Sequence, residues 1–131
     1  MTLRITRLLA ALSAPALALT LASCGSSSKY ETLDDLTTAI ENAGYSCEEP
    51  FIDPDHPGET QMGCGWSGGV IWYDTAKAEA ESYASLAEIH EQVGVPLYSV
   101  RGEKFHIIGP NSEMKKISDS IDIQMSIDGA K

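Results

Sequence analysis

The chain has 131 residues with 19 acidic and nine basic side chains, a formal charge of −10. Such a balance repels phosphate backbones and anionic headgroups, which excludes nucleic acid and polybasic membrane docking as modes of action. The length allows one domain with a modest core, and three cysteines are too few for a disulfide-dense scaffold.

At the start of the chain Arg4 and Arg7 form a short positive region, followed over residues 8–21 by an uncharged apolar run. A bilayer-spanning helix needs about 20 apolar residues, so the run reads as a secretory signal rather than a span. It ends in Leu21, Ala22, Ser23 and Cys24, a series that resembles the lipobox of bacterial lipoproteins. The resemblance implies cleavage before Cys24 and a thioether from its sulfur to diacylglycerol; in such lipoproteins the new amino terminus is often acylated as well. It also implies a cell-membrane location facing the extracytoplasmic side. Two other readings are ordinary secretion after Ala16, Leu17 and Ala18, and an uncleaved anchor. Neither gives Cys24 a role, and the first leaves an apolar tail on a soluble protein.

On this reading residues 1–23 are a signal peptide, 24–29 a lipidated tether rich in serine, 30–127 a single extracytoplasmic domain and 128–131 a tail. All 19 acidic and seven of the nine basic residues follow position 23, so the mature charge is −12. Two acyl chains suffice to hold such a protein at a membrane without basic residues. Lipidation of Cys24 leaves Cys47 and Cys64, which an oxidising compartment would pair. Closing a loop of this size stabilises a fold by about 3 kcal/mol in the loop-entropy picture. Without a CxxC pair, the two sulfurs lack zinc-site spacing.

Thr32 and Asp35 form a capping box for a first helix with Leu33, Leu36, Ile40 and Ala43 on one face. Gly44 stops it, Tyr45 packs back onto Ile40, and a short strand is expected at Cys47. Residues 48–60 are acidic and broken by Pro50, Pro54, Pro57 and Gly58, the pattern of an exposed loop. Asp53, Asp55 and Gly58 match part of an EF-hand loop, but Pro57 replaces one ligand and Cys64 stands where a glutamate is needed. A looser metal set of Asp53, Asp55, His56 and Glu59 competes with a solvated acidic loop, and the solvated loop is favoured.

Runs at 61–66 and 70–73 around Gly68 and Gly69 predict a tight hairpin. That register opposes Trp66 to Ile71, Gly65 to Trp72 and Cys64 to Tyr73, with Met62, Cys64, Trp66, Ile71 and Tyr73 on the core face. Trp66 and Trp72 are the candidate partner contacts, as an aromatic patch for a sugar or a protein. The simpler reading has the Trp72 ring covering strand backbone beside Gly63 and Gly65.

Asp74 or Thr75 caps a second helix running to Val93, with Ala76, Ala80, Tyr83, Leu86, Ala87, His90 and Val93 inward and Glu79, Glu81, Glu88 and Glu91 toward water. His90 and Glu91 do not open a zinc-protease helix, because residue 94 is glycine. A second hairpin spans 97–100 and 104–108. A third helix starts at Asn111 or Ser112 and takes in Met114, Ile117 and Ile121. Residues 121–127 alternate as a strand would, but the helix is expected to continue to Gln124 or Met125.

The expected fold is α+β, in the order α-β-ββ-α-ββ-α, with the helices on one face of a small, mostly antiparallel sheet. The chain as a whole looks like the small extracytoplasmic lipoproteins of actinobacteria, which implies location and architecture and adds no catalytic residue. No GxSxG elbow, phosphate-binding glycine loop or HExxH motif occurs, and lipidation and bridging leave no nucleophilic cysteine. The expectation is therefore a membrane-anchored binding or interaction module, not an enzyme, without cofactor, metal or catalytic residues. Its partner would be an envelope protein or polymer. The alternative is a small envelope hydrolase using Glu48, Glu49 or Asp53 near an aromatic patch, which requires carboxylates about 5 to 9 Å apart across a cleft.

Overall fold

The computed structural model describes residues 29–129. The leader, Cys24 and nearly all of the tether lie outside the described residues. Among the described residues three helices and six strands follow one another: α1 (Leu33–Asn42), β1 (Phe51–Ile52), β2 (Glu59–Met62), β3 (Gly69–Tyr73), α2 (Ala76–Val93), β4 (Leu97–Arg101), β5 (Phe105–Ile108), α3 (Asn111–Ile121) and β6 (Met125–Asp128). The strands form one sheet in the order β1-β2-β3-β5-β4-β6, with every neighbour pair antiparallel. The fold is α+β, as expected.

Cross-strand register separates the two faces of this sheet, because directly opposed residues point the same way. On the first face Met62, Val70, Ile107, Val100 and Met125 oppose one another across five strands. They join Leu36 and Ile40 of α1 and Met114, Ile117 and Ile121 of α3 in the main core. The second face carries α2, which packs on β3, β5 and β6. The expectation that all helices share one face is therefore corrected. Phe105 enters the main core while its neighbour His106 bonds to Glu79 of α2, so two adjacent strand residues serve two helical layers. Short connections allowed either arrangement.

The starts of α1 and α2 follow local chemistry. Thr32 and Thr75 cap α1 and α2 by accepting from the backbone N–H groups of Asp35 and Ala78. Gly94, at φ 73°, ends α2.

Three boundaries differ from expectation. The expected loop over 48–60 contains β1 and the start of β2, because Pro50 precedes β1 while Pro54 and Pro57 fall in the intervening turn. There Asp53 accepts from Asp55 N at 2.9 Å through its side chain and from His56 N at 2.9 Å through its carbonyl. The short strand expected at Cys47 is accordingly absent from that position, and β1 lies at 51–52.

The β2–β3 hairpin has a different register, with Met62 opposite Val70, Gln61 opposite Ile71, Thr60 opposite Trp72 and Glu59 opposite Tyr73. Residues 63–68 leave the ladder so that Cys64 can reach Cys47. Gly68 sits at φ 130°, where a Cβ would lie 2.2 Å from the Ile108 carbonyl oxygen. Only glycine makes that approach.

The third helix stops at Ile121, with Asp122 in the left-handed region at φ 61°. Ser118 then accepts from Ile123 N at 3.2 Å through its carbonyl and donates its hydroxyl to Ile123 O at 2.6 Å. The alternation of residues 121–127 accordingly resolves as strand β6, which pairs with β4 and runs one residue past the expected boundary at 127.

Candidate functional site

The second face of the sheet is organised by one cross-strand row: Phe51, Gln61, Ile71, His106 and Arg101, each opposite the next. Its two ends differ. At one end α2 covers His106 and Arg101, while at the other Phe51 is 57% exposed.

At the covered end Glu79 is only 2% exposed, against the expectation that it faces water. Its carboxylate accepts two bonds from the Arg101 guanidinium, Nε at 2.9 Å and Nη2 at 2.8 Å, and approaches His106 Nδ1 at 3.1 Å. A carboxylate can only accept, so Nδ1 carries the proton in that contact. Burial raises the pKa of Glu79, but the bonds and charges of His106 and Arg101 outweigh it and hold the carboxyl below its ordinary range.

The Arg101 guanidinium also lies 3.8 Å from the Tyr83 ring centroid. The Tyr83 hydroxyl meets Ser99 Oγ at 2.7 Å and donates to Asp128 at 2.6 Å. Burial, then the bond to Asp128, pushes its pKa up to about 12. His106 Nε2 lies 3.4 Å from the Tyr73 hydroxyl, which donates to Ser82 Oγ at 2.7 Å. This cluster clamps α2 to the sheet. Among the described residues the one buried side-chain polar atom without a partner is Asn111 Oδ1, which lies outside it.

At the open end none of the described residues covers the sheet face. Phe51, Ile71 and Ile108 floor a groove of about 420 Å³, with Gln61 beside them and Glu48 and Glu49 among its lining. Among the described residues no lysine, arginine or histidine lines it. The rim is fixed covalently, since Cys47 and Cys64 are joined at an S–S distance of 2.07 Å, and Glu48 N donates to Gly63 O at 2.8 Å. A second, shallower opening of about 390 Å³ lies between the 56–59 turn, Tyr73 and the Ala78, Glu81, Ser82 and Ser85 side of α2.

The other residues singled out in the sequence fall elsewhere. Trp66 donates its indole N–H to Ile108 O at 2.8 Å and lies across Gly109, where a Cβ would come within 2.6 Å of the ring. Trp72 stacks on Phe105 with centroids 5.6 Å apart. Both rings are half-buried against the main core, and neither lines the groove. Asp53 holds its own turn together with Asp55 and lies 3.5 Å from His56. Among the described residues no three histidine, cysteine, aspartate or glutamate side chains are grouped to hold a metal ion.

Sequence reasoning missed Glu79, Arg101 and His106. The available signal was the spacing of Glu79, Tyr83, Leu86 and His90, which marks a helix face one step round from the alanines. Arg101 and His106 also flank the second hairpin turn symmetrically. No family model, curated protein or solved structure matches this chain.

Proposed function

We propose that the chain is a lipid-anchored extracytoplasmic protein of the bacterial cell envelope, tethered through Cys24, whose domain acts as a binding module. The observation that carries the binding role is the uncovered groove. On the second face α2 packs on β3, β5 and β6, yet beyond it the sheet leaves Phe51, Ile71 and Ile108 around a concave space with a disulfide-rooted rim. Largely preformed apolar concavities with a few polar groups at the edge are the common form of a binding site. The anchor rests on the residue pattern ending at Cys24. Among the described residues no helix is long and apolar enough to cross a membrane.

A hydrolase would draw on the same rim carboxylates, but the tryptophans expected as its aromatic platform, Trp66 and Trp72, do not line the groove. A binding role needs no such platform.

Mass spectrometry of the membrane fraction tests the anchor. The wild-type chain should begin at Cys24 and carry a diacylglyceryl mass, and Cys24→Ala should lose both. The same lipid mass on the variant would refute the anchor. A photo-crosslinking residue at Phe51 tests the module: it should capture a ligand or partner in native envelopes, where one at Ile127, exposed on the opposite edge strand, should not.

A further inference from the structure

We propose that the occupant of this groove is an extended cationic peptide segment, with apolar side chains on the floor and lysine or arginine against Glu48 and Glu49. The inference rests on the binding-module reading above.

Three observations point to it. First, among the described residues the lining bears charge of one sign only, two carboxylates and no basic side chain. The domain around it is strongly acidic too, so an anionic envelope polymer would be repelled and a cationic chain drawn in. Second, Glu48 stands beside the floor. Its backbone N–H donates to Gly63 O at 2.8 Å, its exposed carboxylate has Oε1 3.3 Å from where a Cβ on Gly63 would lie, and Gly63 itself lines the groove, so the carboxylate is within reach of a chain lying in it.

Third, the groove borders a free sheet edge. Phe51 and Ile52 are each 57% exposed on β1, the outermost strand. An extended peptide reads such a surface naturally, since alternate side chains face the floor and the rim. Pro50 and Pro54 limit the open edge to those two residues, which places the peptide mainly over the sheet face and not as a full seventh strand. An uncharged polysaccharide would satisfy the floor but give the carboxylates no counter-charge.

The test uses the full chain in detergent micelles and three synthetic ten-residue peptides that alternate Lys with Val, Glu with Val, and Lys with Ser. The Lys–Val peptide should bind, more weakly as salt is raised, and the other two should bind far less. Glu48→Gln with Glu49→Gln should weaken it on the order of tenfold, about the effect of losing two exposed ion pairs. Phe51→Ala should weaken it as well. Glu88→Gln with Asp119→Asn, which removes the same charge from exposed positions on α2 and α3, should change affinity less than about twofold.

Equal binding of the Glu–Val peptide, or equal loss in the Glu88 and Asp119 variant, would overturn the proposal, because the groove would then not select the cation. If no peptide binds but the crosslinker at Phe51 captures a partner lacking a cationic segment, the occupant proposed here is wrong and the binding module stands. If no peptide binds and the crosslinker captures nothing, both fall.

Discussion

Where helices cover them, the two faces of the sheet reach the same degree of burial by opposite chemistry. On the first, Met62, Val70, Val100 and Ile107 are 0–4% exposed and entirely apolar. On the second, Glu79, Ser99 and His106 are 0–2% exposed and polar. A dry hydrocarbon layer tolerates small changes of shape, because dispersion and area terms vary gradually with contact. A buried ionic layer does not: each charge depends on a particular partner, and removing one leaves another stranded. The second face is therefore the more specific of the two. It is also the one left unfinished, with a groove where α2 no longer covers the sheet.

The sharpest way to break this contrast is Glu79→Ala. It strands Arg101 and His106 together, and a broken buried pair costs about 3 to 5 kcal/mol. Arg101 is 35% exposed on its side chain, which places the loss near the lower bound. Chemical denaturation would measure it. The same residue sets a pH dependence. Its folded pKa lies below the ordinary value of 4.5, so its contribution is complete above that pH and is lost as pH falls through the lower folded value. Stability of the wild-type chain should consequently fall more steeply with acid than that of Glu79→Gln, in melts taken across that window.

Reduction of the Cys47–Cys64 bridge is next in size, with a loss of about 2 to 4 kcal/mol. Because the bridge roots the Glu48 and Glu49 rim, reduction should also weaken binding of the Lys–Val peptide at temperatures where the domain remains folded. A lipid thioether at Cys24 would survive the reductant, so membrane partitioning should stay unchanged. Unaltered melting after complete reduction would remove the bridge from the account.

The smallest effect belongs to the first face. Ile107→Val removes one methyl from a residue that is 0% exposed and should cost about 0.5 to 1.5 kcal/mol by thermal melting. A loss as large as that of Glu79→Ala would erase the distinction between the faces.

What was legible in the sequence follows the same division. The first face could be read from spacing: Leu36 and Ile40 on α1, and Met114, Ile117 and Ile121 on α3, recur at helical intervals, and all are buried. The caps at Thr32 and Thr75 and the stop at Gly94 are local chemistry, and they fall where the residues place them. The second face was not legible in this way. A glutamate on an amphipathic helix reads as solvent-facing until its partners are known, and those of Glu79 come from strands 22 and 27 residues away in sequence.

The hairpin register failed for a related reason. Two glycines between strand-like runs suggest a tight turn, but the reach of Cys64 to Cys47 and the approach of Gly68 to Ile108 open it to six residues. The groove was only half visible. Glu48 and Glu49 stood out as acids, but Phe51, Ile71 and Ile108 become one floor only after β3 pairs with β5 and brings the two hairpins together.

Methyl NMR of the full chain during titration with the Lys–Val peptide tests the central claim most directly, because Ile71 and Ile108 lie on the open end of the second face while Ile107 and Ile117 lie in the core of the first. The account predicts saturable shifts of the Ile71 and Ile108 methyl signals, with those of Ile107 and Ile117 unmoved. Shifts confined to the first-face isoleucines, or no saturable shift at Ile71 and Ile108, would contradict it.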